Sequence, residues 1–182
     1  MKFDPESLWE THSKSKIIQI YGKSGSGKST LAMHFAKFIL ESRHGKLLWI
    51  DTEKKTTTKR VHQIIGAQSS KNFLIAQPTT YYAQEKTFQA ILSIAIPISA
   101  VVVDTISHHF RYRGQNESWN SYSEHLQYFY EQYILPLLVF QEKSDSYLIL
   151  IHQVTSVPEI GDKPFLYKVY EEIKSSWIRL SI

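Results

Sequence analysis

An α/β fold, with a mostly parallel central β-sheet and helices on both faces, is what this sequence predicts, and three observations carry the prediction. Short, continuously apolar, β-branched runs recur along the chain, segments of helical periodicity separate them, and the first run ends in a glycine-rich octapeptide that opens into a helix. Strands buried on both faces have no polar side to show, so they appear as unbroken apolar runs rather than as alternation. Such runs alternating with helices imply a parallel sheet covered on both sides.

The elements follow in order. Ile17, Ile18, Ile20 and Tyr21 form a short buried strand ending at Gly22. From Ser29, residues Leu31, Phe35, Phe38 and Ile39 recur at helical spacing until Gly45 stops the pattern. Leu47–Ile50 followed by Asp51 is the second strand, Phe73–Ala76 the third, Val101–Val103 followed by Asp104 the fourth, and Tyr147–Ile151 the fifth. Helical stretches lie near Val61–Ile65, Gln84–Ile94 and Glu124–Leu138, and Pro136 inside the last of these removes a backbone donor and predicts a kink or a restart. Trp177, Ile178, Leu180 and Ile182 make a further strand; Gly66–Lys71 and Arg111–Trp119 are the most loop-like segments. Residues 1–182 are expected to form a single domain, with 1–15 a short N-terminal lead and no separate DNA-binding domain.

Composition sets the frame for function. With 42% hydrophobic residues in 182 there is material for a real core. Lys and Arg number 21 against 17 Asp and Glu, a net charge of +4 that permits a polyanionic partner without requiring one. Zero cysteines exclude disulfides, thiolate metal sites and cysteine nucleophiles. The start lacks a signal-peptide apolar region and no window approaches a membrane span, so the expectation is a soluble, cytoplasmic protein with no membrane partner.

The octapeptide Gly22-Lys23-Ser24-Gly25-Ser26-Gly27-Lys28-Ser29 carries the chemistry. A triphosphate is dense negative charge, and backbone N–H groups of a glycine turn, together with the positive end of a helix, answer it. Gly22, Gly25 and Gly27 permit conformations and close approaches that side chains block. Lys28 reaches the β and γ phosphates, the Ser29 hydroxyl ligates Mg²⁺, and Thr30 continues the helix start. A P-loop binding ATP with Mg²⁺ is the prediction; a turn that only joins strand to helix is the plainer alternative.

Three polar residues at strand ends complete the expected site. Asp104, at the tip of an apolar strand, can orient the metal against the phosphates, or it can cap a turn. Glu53, two residues beyond the second strand, is the candidate general base that polarises the attacking water; alternatively Asp51-Thr52-Glu53 begins the next helix. Gln153, after the fifth strand, can touch a γ phosphate and report its loss.

These motifs, in this order and at these intervals, resemble the RecA/RadA recombinase superfamily, and within it the archaeal RadB-type paralogues. The resemblance is carried by Ile20-Tyr21-Gly22 into the P-loop, Trp49-Ile50-Asp51-Thr52-Glu53, Val101-Val102-Val103-Asp104-Thr105-Ile106-Ser107 into Phe110-Arg111, and Ile151-His152-Gln153-Val154. It implies a RecA-like P-loop NTPase core. Glu53 then matches the catalytic glutamate, Asp104 the Walker B aspartate, Gln153 the glutamine coupling nucleotide to DNA, and Arg60 an arginine that stacks on adenine. Lys28, Glu53 and Gln153 are thus the catalytic set. The sequence departs from the family in Lys54-Lys55-Thr56-Thr57-Thr58, which replaces the usual Gly, Phe and Arg-Pro, and in His152, where the recombinases often have Asn. Only a short loop fits between Gln153 and Phe165.

The resemblance implies a slowly hydrolysing accessory ATPase of homologous recombination and DNA repair, with a RadA-type recombinase and single-stranded DNA as partners. Arg111 and Arg113, with Tyr112 and Trp119, suit single strands through phosphate contacts and stacking; packing over the next helix is the alternative. Two other functions compete: a nucleotide-gated interaction module with vestigial hydrolysis, and a KaiC-like or helicase-like ATPase of the same fold. His108 and His109 lack metal-ligand spacing.

Overall fold

The computed structural model of the chain describes residues 4–116, 122–157 and 161–181, the side chains of 114–116 and 156–157 excepted. Its centre is a sheet with strand order β3-β2-β4-β5-β1-β7, formed by β1 (Ile17–Gly22), β2 (Lys46–Asp51), β3 (Phe73–Ala76), β4 (Ile98–Asp104), β5 (Tyr147–Val157) and β7 (Ser176–Leu180). All five pairings along this path are parallel. A short β6 (Gly161–Pro164) runs antiparallel to the outer half of β5.

Side chains alternate between the two faces, and each face has its own core. Ile18, Ile20, Trp49, Val102, Ile149 and Ile151 pack against Leu31, Phe35 and Ile39 of α2 (Lys28–Ser42) and Val61 of α3 (Thr58–Ile65). Ile50, Val101, Val103, Leu148 and Leu150 face Phe88 of α4 (Tyr81–Ile91), Phe110 of α5 (His108–Asn116), Phe129 of α6 (Tyr122–Phe129) and Leu137 of α7 (Leu135–Ser144). Both faces being buried is why the strands carry no polar alternation.

The lead to β1 is partly helical. Asp4 caps α1 (Pro5–His12) by accepting from the Glu6 N–H at 3.1 Å, and Pro5 occupies the first turn, where its missing N–H costs nothing. Trp9 then lies against Phe35 and Tyr147 at ring-centroid distances of 5.2 and 5.3 Å.

The restart expected at Pro136 takes a definite form. A π-helical turn, Tyr130–Ile134, separates α6 from α7, and Pro136 falls in the first turn of α7. The wider turn accommodates the ring and the lost donor without ending the helical run. Phe129, Tyr133, Ile134 and Leu137 are all buried, so the aromatic face of this run belongs to the core.

Three segments differ from expectation. Arg111 lies in a helix, not a loop, because α5 continues to Asn116; Trp119 lies outside the described residues. Ser69–Asn72 forms a 3-10 turn that overlaps the end of the expected Gly66–Lys71 loop. The fifth strand runs past Gln153 to Val157 and folds back through β6, so a hairpin stands where a short loop was expected. The last strand ends at Leu180, and Ile182 is outside the described residues. Among the described residues no helix is long and apolar enough to cross a membrane.

Candidate functional site

Parallel pairing brings the carboxyl ends of β1, β2, β4 and β5 to one edge. Gly22 is in register with Gln153, and Asp51 with Asp104. The loop after β1 therefore faces the acidic tips of β2 and β4 across one cavity of about 320 Å³, lined by Gly25, Lys28, Ser29, Glu53, Asp104 and Gln153 among others. Every strand-tip residue expected from sequence reaches this cavity.

The P-loop owes its shape to its glycines. Gly25 and Gly27 are left-handed, with φ of 82° and 89°. Gly22 is required for closeness instead: a Cβ there would lie 2.3 Å from the Leu180 carbonyl oxygen of β7 and 2.8 Å from Ser26 Oγ. Gly22→Ala is expected to cost about 1–3 kcal/mol, because the obstacle is backbone of a paired strand rather than a movable side chain. Urea unfolding checks this, and an unchanged midpoint would count against the close approach.

Lys28 begins α2 and is buried, its ammonium donating to the carbonyls of Gly22 at 2.8 Å and Lys23 at 2.7 Å. Burial lowers its pKa, while Asp104 and Glu53 oppose that shift. Ser29 follows Lys28 in the first turn of α2 and lines the same cavity as Asp104. Asp104 is buried, and its pKa is pushed up to about 6, first by desolvation and then by Asp51 and Glu53, against the influence of Ser29 and Lys28. Ser26 Oγ is buried without a hydrogen-bond partner.

Both oxygens of the Glu53 carboxylate are engaged. The Gln153 amide donates to Oε1, and Lys55 pairs with Oε2. His108 Nδ1 stands 3.7 Å from Oε1. Glu53 is thus clear of α3, which starts at Thr58 with Thr57 as its cap. Gln153 sits within β5 and is held from behind by Arg111, which donates to its carbonyl at 3.2 Å and lies 4.8 Å from the Phe165 ring. Arg113 points elsewhere, paired with Glu85 at 2.6 Å and over the Tyr128 ring at 4.0 Å. Arg60 hydrogen-bonds Thr30 at the start of α2 and lines the same cavity.

Sequence reasoning missed the residues that fix these tips. Thr52 is buried, and its hydroxyl donates toward the carbonyls of Asp104 at 2.8 Å and Thr105 at 2.9 Å, tying β2 to β4. Thr105 has φ 63°, uncommon for a β-branched residue, which turns the chain immediately after Asp104. Asp51, buried, accepts from the Thr56 N–H at 2.8 Å and from Gln77 at 3.0 Å. Only the threonine after a strand-end aspartate was visible as a signal, and such a residue has many other uses.

The arrangement can cradle phosphates on loop amides and Lys28. It also suits a magnesium ion: one hydroxyl, Ser29, and one carboxylate, Asp104, line the same cavity, with that carboxylate disfavoured as a bare anion. Magnesium keeps several waters and takes few protein ligands when it arrives with a polyphosphate. Among the described residues no cluster of three or more acidic or histidine side chains that could hold a metal ion is found.

The family model of the AAA domain (AAA_25) matches residues 4–156. The chain belongs to this family. The AAA domain here has a RecA-like P-loop core, and its relatives are those the ordered motifs pointed to. It is 26% identical over 170 residues to the DNA repair protein RAD57 of Saccharomyces cerevisiae, covering 81% of this chain and 35% of that one. It is 30% identical over 112 residues to the DNA repair and recombination protein RadB of Thermococcus sibiricus, covering 58% and 47%. Protein RecA of Gloeothece citriformis is 35% identical over 95 residues, covering 52% and 25%. The aligned part spans less than half the length of each of these relatives.

Proposed function

We propose that this AAA domain binds ATP with Mg²⁺ and hydrolyses it slowly, serving homologous recombination or DNA repair as an accessory factor. The observation that carries the reading is the convergence of Lys28, Ser29, Asp104 and Glu53 on one cavity. In this reading Lys28 leaves the loop carbonyls for the β and γ phosphates. Ser29 and Asp104 hold the metal, which neutralises phosphate charge and orients the oxygens when bound. Glu53 takes a proton from the attacking water, Gln153 senses the terminal phosphate, and Arg60 offers its guanidinium plane to the base. The names of RAD57 and RadB supply the cellular setting.

The test is calorimetric titration of ATP and ADP with and without magnesium, alongside phosphate release by wild type and Glu53→Gln. Magnesium-dependent binding with hydrolysis lost in the variant is expected; absence of binding would refute the reading. A second reading, a nucleotide-gated module that recruits a RadA-type recombinase without turnover, is favoured by the engagement of both Glu53 oxygens. Equal phosphate release by wild type and Glu53→Gln would select it.

Single-stranded DNA is the proposed partner of the α5 face. Arg111 can exchange Gln153 for a backbone phosphate, whereas Arg113 contributes by anchoring α5 to Glu85. Arg111→Ala is therefore expected to reduce the salt dependence of binding by about one counterion. Arg113→Ala is expected to weaken binding without changing that slope. Fluorescence anisotropy at several salt concentrations distinguishes them, and identical slopes for wild type and Arg111→Ala would remove Arg111 from the interface.

A further inference from the structure

Lys55 has no part in shaping the P-loop, yet it stands over the cavity. Lys54 before it adopts left-handed backbone, φ 55°, a conformation that costs a non-glycine residue free energy and persists only where the surroundings hold it. That turn comes directly after Glu53 and returns the Lys55 ammonium to the outer oxygen of the same carboxylate. The side chain is 70% exposed, so it is free to move at its tip, and it lines both the phosphate cavity and the adjoining hollow beside His108 and Tyr112. Its surroundings are acidic: the hydrogen bond to Glu53 leads the influences that favour its charged form, joined by Asp104 and Asp51. The other cations of the cavity are placed differently, Lys28 within the loop and Arg60 beside Thr30.

We propose that Lys55 is a catalytic lysine acting in cis on the terminal phosphate of the bound nucleotide. The proposal rests on the nucleotide hydrolysis advanced above. When a nucleoside triphosphate enters, its terminal phosphate offers the ammonium more negative charge than Glu53 does, and Lys55 moves across. Two effects follow from one displacement. The outer oxygen of Glu53 becomes available to a water, and a cation faces the phosphate oxygens where charge is redistributed in the transition state. The water oxygen then attacks the γ phosphorus. The bond from that phosphorus to the bridging oxygen breaks, its electron pair remaining on the nucleoside diphosphate. The water proton passes to Glu53 and on to solvent, leaving diphosphate and inorganic phosphate. A cation supplied from the same chain needs no neighbouring copy to complete the site.

The experiment compares wild type, Lys55→Met and Lys55→Arg by calorimetric binding of MgADP, with and without aluminium fluoride as the transition-state phosphate mimic, and by phosphate release. Lys55→Met is expected to hold MgADP within about 3-fold of wild type. It is expected to lose on the order of 100-fold both in affinity for the fluoride complex and in kcat. Lys55→Arg should retain most of both. Wild-type turnover per chain should stay constant over roughly a 100-fold range of protein concentration, as a site complete within one chain requires. Undiminished affinity of Lys55→Met for the fluoride complex would overturn the proposal, as would turnover equal to or faster than wild type, the latter making Lys55 a restraint on Glu53. Turnover that falls on dilution overturns the in-cis role. Failure of the wild type to bind MgADP would refute nucleotide binding itself, and Lys55 with it.

Discussion

Lys28→Ala is expected to lower affinity for MgATP by roughly two to three orders of magnitude, while shifting stability by only about 1 kcal/mol. The two halves of this expectation have one cause. In the nucleotide-free chain the buried ammonium is satisfied by the Gly22 and Lys23 carbonyls, and its burial carries a cost that shows as a lowered pKa. Removing it takes away two hydrogen bonds and one desolvated charge together, and these contributions oppose each other. Nothing comparable offsets the loss when a triphosphate is bound, because phosphate oxygens carry a full negative charge opposite the ammonium, which carbonyls do not. Calorimetric titration and urea unfolding of the same preparation check both halves. An affinity within about 3-fold of wild type would remove Lys28 from the phosphates, whatever the stability.

How much of this was legible depended on whether the information was local. The four central strands, β1, β2, β4 and β5, could be found because burial on both faces writes itself into uninterrupted runs such as Val101–Val103, and the P-loop because steric need fixes glycines at set spacing; β3, at the edge with Leu74 and Ile75 exposed, was found from its apolar run alone. Asp104 and Glu53 followed from their position at strand ends. Helix α5 was hidden by its own composition: Arg111-Tyr112-Arg113-Gly114-Gln115 has no helical apolar periodicity and carries a glycine, and tertiary contacts hold it, Phe110 in the aromatic cluster and Arg113 on Glu85. The continuation of β5 was hidden because His152 and Gln153 look like the end of an apolar run. They are in fact paired with Tyr21 and Gly22 across the ladder. The α1 cap, Asp4 before Pro5, was written plainly but lay in a segment short enough to pass for a lead. Arg111 and Arg113 looked equivalent in sequence, yet helical spacing sends one to Gln153 and the other to Glu85. The Thr52 bridge and the left-handed Thr105 depend on β2 and β4 lying side by side, which no window of sequence contains.

Asp104→Asn is expected to stabilise the nucleotide-free, metal-free protein by about 2–3 kcal/mol at pH 8, not to change it near pH 3.5, and to abolish magnesium-dependent nucleotide binding. The sign follows from the buried carboxylate. Its pKa rises from 3.8 to about 6 on folding, desolvation being the main cause, so between those values the folded chain holds a proton that the unfolded chain has released. Stability therefore falls as pH rises through this window, and the deficit is complete above it. His152 works in the opposite sense. It is fully buried against Tyr170, 4.4 Å between ring centroids, and its pKa falls from 6.5 to about 3 through desolvation, with Arg111 and Lys28 adding to the shift. Gln19 spends its amide on Ser175 at 2.7 Å, so its Oε1 accepts from His152 Nε2 at 3.0 Å, a bond the neutral ring makes without a charge in the core. Between pH 3 and 6.5 the unfolded chain binds the proton that folded His152 refuses, and this contribution makes stability rise with pH. In wild type the two contributions largely cancel between about pH 4 and 6; in Asp104→Asn only the rising one is left. Unfolding free energies at pH 4, 6 and 8 decide the matter, since groups remote from Asp104 titrate alike in both proteins and drop out of the difference. A gap of the same size at every pH would mean that Asp104 is not the strained carboxylate of this site, and the case for a metal relieving that strain would go with it.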